Sequence, residues 1–223
     1  MIKGMIFDLD GTTLSTLEDI RDAINMTLRQ NGYPEKDLDA IRLAVGNGSL
    51  KLISRVSPAG VSEEQKNEML KEYINIYSTN YNIKTHPYKG IPELLQELQR
   101  KGILLGVNSN KPHHLTAALI NECFPGVDFV GVIGDQKDIP KKPDPTGAYK
   151  LIEMMGLKKE EVLYIGDSET DIKTAKNAGL KAIGCLWGFR DRKILEEAEA
   201  DYIVSEPHEI LKYLGEYNEL SVL

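Results

Sequence analysis

The first apolar run of the chain, Met5-Ile6-Phe7, leads directly into Asp8-Leu9-Asp10-Gly11-Thr12. Strand side chains alternate, so Asp8 and Asp10, two apart, are expected on one side with Leu9 on the other. Two carboxylates so placed repel, and the pair persists if one takes a proton or a cation sits between them. The first arrangement supplies a general acid and the second a metal site. Gly11 and Thr12 then form a tight exit whose backbone N–H groups suit an anion. The same letters also fit an ordinary turn or a fragment of a calcium loop.

Three later segments carry polar chemistry directly after, or between, apolar runs. Asn108-Ser109-Asn110-Lys111-Pro112 offers a hydroxyl and an amide that suit phosphoryl oxygens, although Ser and Asn are also common helix caps. In Lys141-Lys142-Pro143-Asp144-Pro145 the prolines restrict the backbone and so the reach of a lysine. A lysine ammonium is a compact point charge suited to a phosphoryl group, or equally to open solvent. Gly166-Asp167-Ser168-Glu169-Thr170-Asp171 places three acids at the start of a helix. Glu169 and Asp171 suit the positive end of a helix dipole. Asp167 sits at the mouth of an apolar run, where a hard cation such as Mg²⁺ with oxygen ligands explains it better.

The elements that must position these residues follow from hydrophobic pattern. Apolar runs recur at 5–7, 103–107, 129–133, 162–165, 182–186 and 202–204, separated by amphipathic stretches at 91–100, 113–122, 146–155, 170–178 and 192–198. This alternation predicts an α/β fold, a Rossmann-like doubly wound parallel sheet with helices on both faces. Its strand ends are where such sheets bind ligands. After Leu14 the rhythm breaks into four helical stretches, 16–30, 38–45, 49–56 and 62–77, with Ser15 and Glu18 spaced as a capping box for the first. An inserted small all-helical cap domain is expected over 15–87, with His86 to Gly90 as the return and the core formed by 1–14 and 88–223.

With 223 residues, 41% apolar and 27% charged, the chain is long enough for a core domain with an insert. A formal charge of −7 argues against nucleic acid and anionic membranes as partners, so an anionic substrate must be drawn by local cations and a metal. No segment approaches the roughly 20 apolar residues of a membrane span, and the N-terminus enters a strand with no leader, which makes the cytoplasm the expected compartment. The two cysteines, Cys123 and Cys185, read as buried thiols. Nothing indicates the oligomeric state.

These segments, in this order and over nearly the whole chain, resemble the four motifs of the haloacid dehalogenase superfamily, within it the phosphoglycolate-phosphatase-like branch with a small helical cap. Asp8 to Thr12 match the first motif, Ser109 the second, Lys142 with Pro143 and Pro145 the third, and Gly166-Asp167 with Asp171 the fourth. Ala175, Ala178, Gly179 and Trp187-Gly188 fit as well. The resemblance implies that Asp8 attacks phosphorus to form an aspartyl-phosphate and that Asp10 protonates the leaving oxygen and then activates water. It further implies Mg²⁺ held by Asp8, the Asp10 main-chain carbonyl and Asp167, with Asp171 supporting metal waters or Lys142. Ser109, Asn110 and Lys142 would bind the phosphoryl oxygens. Where the family often has Asp-Ser or Asp-Thr at the hinge, this chain has Ser15-Thr16, which bears on closure and not on chemistry. In the insert, Gly46-Asn47-Gly48 resembles a substrate loop, with Lys51 one turn on to meet a substrate carboxylate; the same glycines also make a plain interhelical link.

The implied activity is a Mg²⁺-dependent phosphatase of a small phosphorylated metabolite, first of all 2-phosphoglycolate. A sugar phosphomutase of the β-phosphoglucomutase kind or a pyrophosphatase of the same family would share the core residues. A non-catalytic phosphate-binding regulatory module would not need Asp10, and a dehalogenase would not need a metal site.

Overall fold

The computed structural model describes residues 1–215; residues 216–223 of the expected core segment lie outside them. The chain opens with β1 (Gly4–Phe7) and β2 (Leu14–Ser15), passes through α1 (Leu17–Gln30), α2 (Leu38–Ala44), α3 (Ser49–Val56) and α4 (Glu63–Asn80), and returns through β3 (His86–Pro87). Helices and strands then alternate: α5 (Ile91–Arg100), β4 (Leu104–Pro112), α6 (His113–Cys123), β5 (Phe129–Asp135), α7 (Thr146–Met155), β6 (Val162–Gly166), α8 (Glu169–Ala178), β7 (Lys181–Cys185), α9 (Arg192–Glu197) and β8 (Tyr202–Val204).

Six strands form one parallel sheet in the order β5-β4-β1-β6-β7-β8. The alternation in β1 is realised across the two faces. Met5 and Phe7 pack with Leu95, Leu98 and Leu119 of α5 and α6, whereas Ile6 packs with Leu151 of α7 and Ile172 and Ala175 of α8. Each face therefore has its own apolar layer, which is why β1 and β6 are buried along their whole length. β1 lies between β4 and β6, so the chain leaves it toward one side of the sheet first and the other later. That reversal opens a crevice at the strand ends.

The four inserted helices build a separate apolar cluster around Ile24, Leu28, Ile41, Ile53 and Met69, which also takes in Leu115 and Phe189 from the sheet-bearing part. The outgoing and returning connections run side by side as β2 and β3, pairing Leu14 with Pro87 and Ser15 with His86. Buried Asp19 secures the return by accepting hydrogen bonds from the backbone N–H groups of Ile83, Lys84 and Thr85. The expected Ser15–Glu18 capping box is absent. Ser15 is drawn into the strand pair, Thr16 becomes the N-cap with no side-chain cap bond, and its hydroxyl is buried without a partner. Of the cysteines, Cys185 is buried and Cys123 half-buried. Among the described residues no helix is long and apolar enough to cross a membrane.

Candidate active site

Register delivers the motif residues to one place. Phe7 pairs with Val107 on one side and with Ile165 on the other, so Asp8, Asn108 and Gly166 stand level where β1 and β6 end, while β4 runs on past them to Pro112 instead of giving way to a loop after Val107. Ser109 and Asp167 come one residue later. Asp8 is held there by its N–H donating to the Ile165 carbonyl at 2.9 Å. Beyond it the chain reverses at once, with Thr12, Thr13 and Leu14 N–H groups all donating to the Leu9 carbonyl.

The buried carboxylates of Asp8, Asp167 and Asp171 present oxygens within 4.8 Å of one another. Against these three charges stands one ammonium, Lys142, whose Nζ lies 2.8 Å from Asp8 Oδ1 and 2.6 Å from Asp171 Oδ1. Burial first, then the charge of Asp171, pushes the Asp8 carboxyl well above the usual carboxylate range despite its lysine. The same two causes raise Asp167 to about 7, although it accepts hydrogen bonds from Phe189 N–H at 2.7 Å and the Thr12 hydroxyl at 3.1 Å. Lys142 is displaced upward by Asp171 and Asp8, which outweigh its burial. An all-oxygen donor set with excess negative charge fits a hard divalent cation. The backbone is shaped to it: a Cβ on Gly11, whose φ is 87°, would sit 2.4 Å from Asp167 Oδ2, and one on Gly188 would sit 2.3 Å from Asp167 Cβ. Only glycine lets both loops pass that close. Trp187 fastens the second loop to the first through its Nε1–H, which donates to the Thr12 carbonyl at 2.9 Å.

Asp171 belongs to the lysine. Its Oδ1 takes Lys142, and its Oδ2 takes the Ser168 N–H at 3.1 Å and hydroxyl at 2.6 Å, which also caps α8. Asn110 has a similar supporting place. Its side-chain carbonyl accepts the Lys142 N–H at 2.8 Å and its amide donates to the Lys142 carbonyl at 3.2 Å, so it clamps the lysine backbone and has little left for a phosphoryl oxygen. Ser109 lines the cavity above Asp8, together with Lys142 and Asp167. Lys141 turns away to Asp135 at 2.8 Å.

Asp10 stands apart from the cluster. Its carboxylate meets Lys111 Nζ at 2.8 Å, and it lies outside the group of three carboxylates whose oxygens fall within 4.8 Å of one another. The repulsion anticipated between Asp8 and Asp10 is therefore replaced by one among Asp8, Asp167 and Asp171. Lys111 Nζ also donates to the Tyr77 hydroxyl at 2.7 Å and lies 4.6 Å from the centre of that ring. Tyr77 comes from α4, at the end of the stretch 62–77 that sequence pattern marks only as helical.

The helical insert closes the crevice from above. Arg190, after β7, is buried and donates to the carbonyls of Arg42 and Val45, both at 2.8 Å, and to Glu169 at 3.1 Å. Arg42 answers by donating to the Phe189 carbonyl at 2.6 Å. Gly46 and Gly48 line the cavity, whereas Asn47 is turned to Thr170 at 2.7 Å and Arg55 at 2.6 Å. Lys51 is exposed and is not among the lining residues, so the carboxylate contact expected of it has no geometric basis. Ser49 and Leu52, three apart, line the cavity, and Lys51 falls on a different side of α3. Sequence reading passed over Lys111, Arg190 and Tyr77. For Lys111 a signal existed, a cation directly after Ser109-Asn110.

The chain is similar to known proteins over most of its length. The chain is 30% identical to a phosphoglycolate phosphatase of Aquifex aeolicus over 97% of its own length and 98% of that protein. It is 32% identical to a phosphoglycolate phosphatase of Pseudomonas syringae pv. tomato over 89% of its length and 75% of that protein. A crystal structure from Lactobacillus delbrueckii subsp. bulgaricus, whose protein carries the provisional name phosphoglycolate phosphatase, superposes with a TM-score of 0.90 at 30% identity, covering 95% of this chain and 98% of that one. The family model of the haloacid dehalogenase-like hydrolases matches residues 5–185, and with the acid cluster and its lysine at the strand ends, the chain belongs to that family.

Proposed function

We propose that the chain hydrolyses the phosphate monoester of a small metabolite, with 2-phosphoglycolate as the leading substrate, using Mg²⁺ held by Asp8, Asp167 and the Asp10 main-chain carbonyl. The observation that carries the reading is Asp8 at the end of β1, buried, paired with Lys142 and facing a cavity lined by Ser109 and Asp10. Lys142 and Ser109 hold phosphoryl oxygens and orient phosphorus toward the Asp8 carboxylate. Asp8 attacks in line, forming an aspartyl-phosphate and releasing the alkoxide oxygen, which takes its proton from Asp10. Asp10 then draws a proton from water as that water attacks the phosphoenzyme, restoring Asp8 and yielding phosphate. Mg²⁺, when bound, neutralises charge on the transferring group. Asp171 and Asn110 act on Lys142, not on the substrate.

Residues 15–87 serve as the cap, a unit resting on the core 1–14 and 88 onward through β2 and β3. The cavity beneath it is about 70 Å³, on a scale where one water takes roughly 10–15 Å³. That favours a short leaving group over a hexose that must bind in two orientations, as a phosphomutase requires. The cytoplasm, where charged phosphorylated metabolites are retained, is the proposed location. Phosphate release should be measured over 2-phosphoglycolate, other small esters, sugar phosphates, nucleotides and pyrophosphate, with Mg²⁺ and with EDTA. The expected result is Mg²⁺-dependent release, highest for 2-phosphoglycolate. Interconversion of hexose phosphates without net release would give the mutase instead, and no release from any ester would refute the assignment.

A further inference from the structure

Three cations line the cavity: Lys142, Arg190 and Lys111. Lys142 is shared by Asp8 and Asp171, and the guanidinium of Arg190 is taken by Glu169 and two backbone carbonyls. Lys111 differs. Its ammonium has three donors, and two partners are found among the described residues, Asp10 Oδ1 at 2.8 Å and the Tyr77 hydroxyl at 2.7 Å. One N–H is left for a group in the cavity that Lys111 lines.

Position gives that donor its meaning. Asp10 must reach the ester oxygen to protonate it, so the first atoms beyond that oxygen lie within a few ångströms of Asp10 and hence of Lys111. The cavity also has an apolar component, with Ile20, Leu52 and Leu115 among its lining. The Tyr77 hydroxyl accepts from Lys111 and keeps its own proton to donate. Resting on the phosphatase reading above, we propose that Lys111, assisted by the Tyr77 hydroxyl, is the specificity determinant for the leaving group. The two recognise a carboxylate one carbon from the ester oxygen, so the substrate class is phosphate esters of 2-hydroxycarboxylic acids. Because Lys111 lies on β4 and Tyr77 on α4, the complete recognition site exists only with the insert seated over the sheet.

The test compares 2-phosphoglycolate with 2-hydroxyethyl phosphate, which keeps the skeleton and replaces the carboxylate by a neutral CH₂OH. Wild type is expected to prefer 2-phosphoglycolate. Lys111→Met should raise KM for it roughly 10- to 100-fold, the effect of one lost charged contact, and shrink its advantage in kcat/KM by a similar factor. Tyr77→Phe should shrink the advantage about 3- to 10-fold. Calorimetry in an Asp8→Asn background, where no turnover occurs, should show the same loss of affinity for 2-phosphoglycolate on adding Lys111→Met. If Lys111→Met fails to fold by circular dichroism, Lys111→Arg and Tyr77→Phe carry the test, with Lys111→Arg keeping the preference. Wild-type discrimination retained in both Lys111→Met and Tyr77→Phe overturns the inference. So does a loss confined to kcat and equal for the two esters, which would mean that Lys111 acts only through Asp10. A wild type that hydrolyses other esters without preferring the carboxylate overturns the inference and leaves the phosphatase intact, whereas a wild type releasing phosphate from no ester sinks both.

Discussion

Replacing Arg190 by Met removes the guanidinium that ties the core loop after β7 to two carbonyls of the insert, those of Arg42 and Val45. Each is a charge-assisted bond of the kind worth about 1.5–3 kcal/mol. In an opened molecule water would take both donors, so the lower figure applies, giving about 3 kcal/mol for the pair. That is roughly a 150-fold shift in the closing equilibrium. Closure also has support that survives the substitution: Phe189 and Leu115 stay in the insert's apolar cluster, and Asn47 still reaches Thr170. Apparent affinity is reduced by the fraction of molecules able to close, so KM should rise by about 10- to 150-fold, the lower end applying if the wild type closes with free energy to spare.

Steady-state kinetics on the best substrate, with urea unfolding alongside, reads this directly. Stability should fall by less than the roughly 3 kcal/mol given to the pair, and by less the more weakly the wild type favours closure, since Glu169, the partner left behind, is already about a third exposed at 31% and can turn to water. Adding Asn47→Ala should lower kcat/KM further, since it removes another bond across the same closure. Wild-type kcat/KM in Arg190→Met would show that these bonds do not govern closure. A large stability loss with unchanged KM would instead make Arg190 a brace of its own loop.

Asp10→Asn should lower turnover of an alkyl phosphate roughly 10²- to 10⁴-fold and of 4-nitrophenyl phosphate much less in the phosphorylation step, since the aryl oxide leaves without a proton; equal losses, with that step rate-limiting, would remove Asp10 from the acid role. Asp167→Ala should raise the Mg²⁺ concentration needed for half activity at least about tenfold, while Glu169→Ala should leave it near wild type and act on KM through Arg190; the reverse order in a Mg²⁺ titration would misplace the metal. Metal-free protein should lose stability as pH rises. Asp167 is raised to about 7, and Asp8 in the same direction, so their contribution is full below the ordinary carboxylate range near 4 and is lost as pH climbs through about 7. The melting temperature in EDTA should therefore fall between pH 5 and 8, and Mg²⁺ should restore more of it at pH 8 than at pH 5. A flat profile in EDTA would contradict the charge excess in the cluster.

The sheet was legible because its signal is local. Each strand is a short apolar run between turn-forming residues, and the acids and Ser109 stand directly after such runs, so strand order and parallel register bring them together without further specification. Pairings made across the fold were not legible. Nothing near Asp10 announces that Lys111, 101 positions later, neutralises it, since that contact needs β4 beside β1. Lys51 was misread for the opposite reason. Closeness in sequence to Gly46-Asn47-Gly48 suggested closeness to the site, but α3 turns its Ser49 and Leu52 side inward and leaves Lys51 to solvent. The capping box at Ser15 gave way because pairing with His86 claims that backbone, whereas the real box, Ser168 with Asp171, sits where the acids had drawn attention as ligands.

In the proposed mechanism Asp8 and Asp10, two residues apart, do different work, and their separate lysines account for it. Asp8 lies in a buried, acid-rich pocket and shares Lys142 with Asp171, an arrangement that disfavours a free carboxylate there until more positive charge arrives. Asp10, about a fifth exposed at 21%, has Lys111 and sits at the cavity wall, outside that competition. A nucleophile should become fully charged when cation and phosphoryl group are in place, whereas an acid–base group must exchange protons with what enters and leaves. Environment, not spacing along the strand, divides the two roles. Exchanging the environments should fail in a recognisable way. Lys142→Met leaves Asp8 among like charges with no ammonium and should abolish phosphorylation, yet leave the Asp10–Lys111 pair, and with it the binding of a carboxylate leaving group, in place.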